Sequence, residues 1–456
     1  MKTIKNNYYY IFFLFILIGI AFRYINNFDQ MYWRDEVYTL FLSDPSMPIQ
    51  NFLENVYNID DSPPLYFYIL RLFNEISYTP EQIRLSSIIF SILTLLISIN
   101  FYKYFLNNEE SLYAFLILTF NIFLIWQSKE SRIPSSVAFF SILNFICFFK
   151  YQKKYNIKNS LILTISNIFT LSYYPFLICI ILSQYLFIIL NDRKKLKNYS
   201  LIFFTTIILY IILNYDYLLS SLVKTSHIGN LEPKFFVNYF FRSFFGTIVF
   251  GGFSLIIFSI SFIHIIKNKQ NNLIYFNIYL IIISYLFVIF YSYFKAGINV
   301  PRYFIFLIPS IILIITKVIS FKKIFIYIYL LLTIINTIIV FDDYKIQKPK
   351  LSYLFTHIDS NLTSNFYVDE NYLMDKYFIH SNTIKKNKFI LKNKNELKNL
   401  DKFYFICFNH PEMHVGKNKN IQDNNKCDLQ IKDFKSVFKK DIKDFRLVLF
   451  EKKNNK

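Results

Sequence analysis

Long apolar blocks alternate with short Lys- and Asn-rich connections over the first 341 residues. Blocks of roughly 17 to 23 residues have the length of a helix that crosses a bilayer core. Eleven such spans are predicted, at about 8–25, 84–103, 111–128, 134–150, 159–174, 176–190, 200–218, 246–266, 272–294, 303–319 and 323–341. From residue 342 the apolar runs shorten to five or six residues, as in NFYVDE, DKFYFICF and FRLVLF, and Lys- and Asn-rich connections separate them. That alternation predicts short strands. The expected architecture is an all-α polytopic membrane domain over residues 1–341, followed by a small α/β domain over 342–456.

Basic residues set the sidedness. Lys2 and Lys5, then Lys150, Lys153, Lys154 and Lys158, then Arg193, Lys194, Lys195 and Lys197, then Lys267 and Lys269, then Lys322 and Lys323 fall in alternate loops. The positive-inside rule makes their side the cytoplasm. The N-terminus is then cytoplasmic, and the opposite face receives residues 26–83, 129–133, 219–245, 295–302 and the C-terminal domain. One apolar stretch fits neither class. Pro64–Ile76 carries Arg71 in its middle, and a helix of its length rises only about 20 Å, too short for a core of about 30 Å. It is expected at the interface, because a crossing there would reverse every basic loop after it.

Composition changes this picture little. The net charge of +20 invites a nucleic-acid partner, but the Lys residues lie in short loops and in the tail, with no basic recognition helix or stripe. Nucleic acid is set aside. The basic start and first apolar run resemble a signal peptide, yet the run is long and no small-residue cleavage site follows, so it reads as an uncleaved first helix. Cys147 and Cys179 fall inside apolar blocks, whereas Cys407 and Cys427 lie in the polar tail. An extracytoplasmic tail would let those two form a disulfide. There is no Gly-rich phosphate loop, which argues against a nucleotide-driven pump.

The candidate chemistry crowds into the first external loop. Met31-Tyr32-Trp33-Arg34-Asp35-Glu36-Val37-Tyr38 follows the first span directly. Its bland reading is an aromatic belt with solvated charges; the sharper one is a catalytic carboxylate held where a lipid-borne substrate presents its head group. After apolar residues at roughly helical spacing (Ile49, Phe52, Leu53, Val56) comes Asp60-Asp61-Ser62-Pro63-Pro64-Leu65-Tyr66-Phe67-Tyr68. A second acidic pair thus precedes a rigid Pro-Pro step that starts a helix.

Five motifs in order, WRDE, D-x-P-P-L-Y-x-Y, an Arg heading the next span, QSKESR and PRYF, resemble the membrane glycosyltransferases of the C superfold. The likeness is to the branch of protein O-mannosyltransferases and aminoarabinose transferases, and it covers roughly residues 1–340. It implies juxtamembrane helices in the first outer loop and a dolichyl- or undecaprenyl-phosphate-linked sugar as donor. It also implies Asp35 as general base, with inversion at the anomeric carbon, and Glu36 as its companion. Asp61 corresponds to the acid before the Pro step; some relatives place a Lys next, where this chain has Ser62 and Pro63.

A leaving phosphate needs cations at the membrane edge, a task suited to a guanidinium. The candidates on the outer side are Arg84, Arg132, Lys295 and Arg302, of which Arg132 and Arg302 sit in matching motifs. Each has an alternative reading as a snorkelling interfacial residue. His227 and Glu232 are weaker candidates in the 219–245 loop. No His, Cys and Asp cluster has metal-ligand spacing, so no obligatory metal is expected, although the superfold includes members that use a divalent cation. The expected partners are the donor, a lipid, glycan or protein acceptor, and the bilayer. Two rivals stand beside this reading. A flippase or transporter would favour broken helices and ionisable residues inside spans, and an envelope polysaccharide polymerase or ligase would place its chemistry in a large late loop.

Overall fold

The computed structural model describes residues 2–25, 34–60, 62–76, 84–223, 239–267, 273–294, 298, 300–341, 358, 362–368, 389–408, 431, 433–442 and 445–453. The chain divides into two compact units, one of residues 1–27, 42–78 and 83–344, the other of residues 28–41, 79–82 and 345–456.

The regular elements among the first unit's described residues are all helices, and each predicted span contains one. In chain order these are α1 (Lys2–Tyr24), α5 (Leu85–Tyr102), the pair α6 (Asn108–Thr119) and α7 (Ile122–Ser128), α8 (Pro134–Lys153), α9 (Ile157–Tyr173), α10 (Ile178–Asn191), α11 (Leu196–Leu213), α13 (Ile248–Lys267), α14 (Ile274–Phe294), α15 (Ile308–Ile319) and α16 (Lys323–Val340). Among the described residues, seven helices are long and apolar enough to cross a membrane unaided, and the α6–α7 pair makes an eighth. Tyr10–Tyr24 and Pro175–Asn191 are shorter apolar helices.

Three shorter helices complete the unit: α3 (Ile49–Ile59), α4 (Pro64–Ile76) and α12 (Tyr215–Val223). Helix α4 has the bounds predicted for the non-crossing stretch. Its Arg71 does not reach toward lipid. The Nη2 atom donates to the carbonyls of Pro45 at 2.8 Å and Met47 at 2.6 Å, while Asn74 donates to the Ser43 carbonyl at 3.1 Å. Both side chains therefore pin α4 to the 43–47 turn, and α3 turns Phe52 and Val56 fully inward.

The span expected over 111–128 is present as two helices. The span bends by 53° between α6 and α7. Asn121 leaves the helical path and caps α7, its Oδ1 accepting from the Leu124 N–H at 3.1 Å, as short polar side chains do at helix starts. A break inside a bundle frees backbone carbonyls that lipid cannot satisfy. Two helices supply the donors. Arg23 of α1 reaches the Thr119 carbonyl at 3.2 Å and also binds Ser91 Oγ of α5 at 2.6 Å. Thr337 of α16 donates to the Phe120 carbonyl at 2.6 Å. Asn121 in turn donates to the Phe244 carbonyl at 2.9 Å, and Asn336 to that of Phe245 at 2.7 Å.

A second polar network ties α8 to α11. Asn144 donates to Asn167 Oδ1 at 2.8 Å, Gln184 donates to Asn144 Oδ1 at 2.6 Å, and Tyr199 donates to Gln184 Oε1 at 2.6 Å. Such uncharged pairs hold helices together where the surrounding lipid gives no hydrophobic drive.

The second unit contains α2 (Arg34–Leu42, save its last residue) and a five-stranded mixed sheet. The strands are β1 (Asn365–Val368), β2 (Ile390–Leu391), β3 (Lys402–Phe408), β4 (Phe434–Ile442) and β5 (Phe445–Lys452), in the order β2-β1-β3-β5-β4. Strand β1 runs parallel to β2 and β3, and β5 runs antiparallel to β3 and β4. The central strands are buried on both faces, from Phe403 through Cys407 and from Leu447 through Phe450. Strand β4 stands at the edge and carries Lys435, Lys439 and Lys440, the charge that discourages pairing with another chain. Cys407 is disulfide-bonded and Cys147 and Cys179 are free; Cys427 lies outside the described residues.

Candidate functional site

Helix α3 ends where Asp60 turns extended, and the Asp60 carboxylate then organises the loop. Its Oδ1 accepts from the Ser62 N–H at 2.8 Å, and its Oδ2 lies 3.7 Å from Arg132 Nη1. Arg132 sits in the turn between α7 and α8, closed by its own N–H donating to the Glu130 carbonyl at 2.8 Å. The two side chains are 16% and 13% exposed, so the pair is largely shielded and still reachable.

Tyr174 owes its placement to Pro175. Proline has no N–H and cannot continue α9, so Tyr174 adopts extended angles (φ −154, ψ 111) and a 3-10 turn follows. Its ring is 4% exposed and packs 5.2 Å from Phe176 and 6.3 Å from Tyr303. Arg302 and Arg132 both act electrostatically on its hydroxyl, with Tyr303 and Tyr217 also in range. That hydroxyl makes no hydrogen bond. Arg302 opens a 3-10 segment at Pro301–Leu307, and Tyr303 stacks on Phe176 at 5.2 Å. Nearby in sequence, burial raises the Tyr57 hydroxyl above its usual range, and the Asp216 carboxylate adds to the rise.

Of the residues singled out from sequence, Arg132 and Arg302 thus both come within electrostatic reach of Tyr174. Asp35 and Glu36 occupy the first turn of α2, where the helix dipole favours carboxylates. They differ in access, since Glu36 is fully buried and Asp35 is partly exposed. Arg84 is 2% exposed, immediately before α5. Asp61, Lys295, His227 and Glu232 lie outside the described residues. Among the described residues no group of three His, Cys, Asp or Glu side chains is placed to hold a metal.

Sequence reasoning passed over three residues here. Asp60 was overshadowed by its neighbour Asp61, and Tyr174 by the abundance of Tyr in the chain. Lys129, inside QSKESR, turns inward: its Nζ donates to the Ile25 carbonyl at 2.8 Å and lies 3.8 Å from the Phe341 ring centroid. A cation at that carbonyl caps the C-terminal end of α1, which makes Lys129 a structural residue while Arg132 faces the site.

An apolar helical bundle with short helices in its first loop and a small appended sheet is the fold of the C-superfold membrane glycosyltransferases, and the chain is a multi-pass membrane protein. Residues 61–215 match the family profile described as dolichyl-phosphate-mannose-protein mannosyltransferase. The ArnT protein of Cupriavidus metallidurans bound to undecaprenyl phosphate shares the fold at 10% identity and a TM-score of 0.62, over 97% of this chain and 98% of that one. Its apo structure aligns at 9% identity and 0.59, over 96% and 97%. An Archaeoglobus fulgidus oligosaccharyltransferase tethered to an acceptor peptide aligns at 10% identity and 0.53, over 88% of this chain and 69% of that one. No curated protein sequence matches the chain.

Proposed function

We propose that the protein transfers a sugar from a polyprenyl-phosphate-linked donor to an envelope lipid, glycan or protein acceptor, with Asp35 as general base. The observation that carries this is that Arg132, paired with Asp60 at 3.7 Å, and Arg302 both lie within electrostatic reach of Tyr174. Two guanidiniums from distant segments, at the end of a helical bundle, make a receptor for the head group of an anionic lipid. The ArnT fold supports the donor class, since that protein was solved with undecaprenyl phosphate.

The acceptor hydroxyl or amine gives its proton to the Asp35 carboxylate and its heteroatom attacks the anomeric carbon. The bond from that carbon to the phosphate oxygen breaks, and its electron pair stays on the polyprenyl phosphate. Charge grows on the leaving oxygen, where Arg132 and Arg302 stabilise it most in the transition state. Arg84 and Lys295 are assigned to the donor side as well, with Asp61, while Glu36 is the buried companion that fixes Asp35. No nucleotide is required. A divalent cation is not part of this reading, and the N-terminus is assigned to the cytoplasm by the basic loops. The disulfide of Cys407 supports an extracytoplasmic tail, because disulfides persist in oxidising compartments.

A flippase reading draws on the broken α6–α7 span and the buried Arg23. Arg23, however, places Nε on Ser91 and Nη1 on the Gly19 and Thr119 carbonyls, and the bond to Thr119 holds the break in place. The test is radiolabelled sugar transfer from a panel of polyprenyl-phosphate sugars, in membranes holding the wild type, Asp35→Asn or an empty vector. Transfer is expected from the wild type and lost in Asp35→Asn. Full transfer by Asp35→Asn overturns the base assignment. Transfer by none of the three sends the protein to the flippase class.

A further inference from the structure

Tyr174 presents a physical anomaly. A buried hydroxyl without a partner costs stability, because water has been stripped from it and nothing replaces the lost bonds. Among the described residues the hydroxyls of Tyr102 and Tyr151 are also buried without a partner. Burial governs the Tyr102 hydroxyl, and burial with Tyr155 and Asp192 that of Tyr151, whereas Arg302 and Arg132 both reach Tyr174 electrostatically. Tyr174 packs 6.3 Å from Tyr303, over whose ring the Arg302 guanidinium lies at 6.0 Å, and a neutral donor within reach of two guanidiniums is arranged for an oxygen anion, since both cations favour the same negative guest and neither can accept the Tyr174 proton.

We propose that Tyr174 is a third ligand of the donor's phosphate, its O–H donating to a phosphate oxygen that Arg132 and Arg302 also hold. The proposal rests on the polyprenyl-phosphate reading above. The backbone supports it: Pro175 stops α9 and fixes Tyr174 in its extended conformation, so the ring is positioned before any ligand arrives. The hydroxyl contributes to binding in the ground state and contributes more as the glycosyl bond breaks and charge collects on the phosphate.

The test uses the full chain in lipid nanodiscs and compares the wild type with Tyr174→Phe, which removes one oxygen and keeps the ring contacts with Phe176 and Tyr303. Three probes are titrated: undecaprenyl phosphate, neutral undecaprenol and inorganic phosphate. Thermal stability is measured without any of them. Tyr174→Phe is expected to bind undecaprenyl phosphate roughly tenfold more weakly, the scale of one hydrogen bond to a charged group. It should bind undecaprenol unchanged, and without ligand it should melt at the wild-type temperature or higher, because an orphaned group has been removed. That opposite movement of binding and stability is what a packing role cannot produce. Equal affinity of the two proteins for undecaprenyl phosphate overturns the proposal, and so does an equal loss for undecaprenol or a lower melting temperature of the unliganded variant. If the wild type binds inorganic phosphate but not undecaprenyl phosphate, the lipid-donor reading falls. If it binds neither, both the reading and the proposal fall.

Discussion

Gly246 is the position where the geometry makes its sharpest demand. Its φ is +82°, and a Cβ there would lie 2.8 Å from Ile122 Cγ2, 3.0 Å from Val340 Cγ2 and 3.4 Å from Asn336 Nδ2. Gly246→Ala therefore carries two costs. The left-handed backbone costs an L-residue about 1–2 kcal/mol, and overfilling a packed site costs about 1–3 kcal/mol. A stiffer unfolded chain returns about 0.4–1 kcal/mol, which leaves a net loss of about 1–4.5 kcal/mol. Gly19→Ala isolates the second cost. A Cβ at Gly19 would meet Thr119 Cγ2 at 2.9 Å and Leu95 Cδ1 at 3.0 Å, a comparable crowding. Gly19 is helical, however, so Ala recovers about 1 kcal/mol of helix propensity, and the net loss should be about 0–2 kcal/mol. Both variants can be unfolded by titrating SDS into mixed micelles and following the fluorescence of Trp126, which lies on α7 close to the strained junction. The reasoning fails if Gly246→Ala unfolds within about 0.5 kcal/mol of wild type, or if Gly19→Ala loses more than Gly246→Ala.

Two further outcomes follow from the same structure. Asn144→Ala removes the hub that joins Asn167 to Gln184 and should cost about 1–2 kcal/mol in the same SDS titration, whereas a double variant with Gln184→Leu should cost less than the sum of the single losses. In the tail, the Arg446 side chain hydrogen-bonds Asp441 at 2.7 Å and holds its carboxyl below the usual carboxylate range. A carboxylate with a depressed folded-state pKa contributes stability that is present above its unfolded pKa of about 3.9 and is lost as pH falls through the folded value. The protection factors of the β4–β5 hairpin amides, corrected for the intrinsic pH dependence of exchange, should therefore fall below about pH 4, and Asp441→Asn should abolish that acid step. The contribution stays under about 1 kcal/mol, because solvent screens a half-exposed pair.

Run length and punctuation made most of the fold legible. Uniformly apolar blocks gave the spans, and Pro63-Pro64 with the short stretch after it gave α4 to the residue. The α6–α7 break was hidden for a physical reason: hydropathy is continuous across it, and a single Asn121 in an apolar block looks like any tolerated polar residue until its cap on Leu124 is seen. The WRDE motif was visible because two adjacent acids at a membrane edge are costly and rare. Asp60 was not, since nothing in the run Asp60-Asp61 announces that the end of α3 aims Asp60 at Arg132. Tyr174 could have been suspected from the Tyr-Tyr-Pro sequence, where proline must end a helix and leave an aromatic at the break.

The broken span and the site are connected through one short segment. Helix α7 is seven residues long, too short to hold a direction alone, yet it carries the turn from which Arg132 projects. Its near end is fixed by the contacts at Thr119, Phe120 and Asn121, and its far end by Lys129 on the Ile25 carbonyl. Arg23, Thr337 and Lys129 thus place a guanidinium they do not touch. A bundle that spends buried polar side chains on satisfying freed carbonyls at one break makes the unsatisfied Tyr174 hydroxyl at the other more informative. In the first case the donors come from the protein, and in the second the acceptor has to arrive with the substrate.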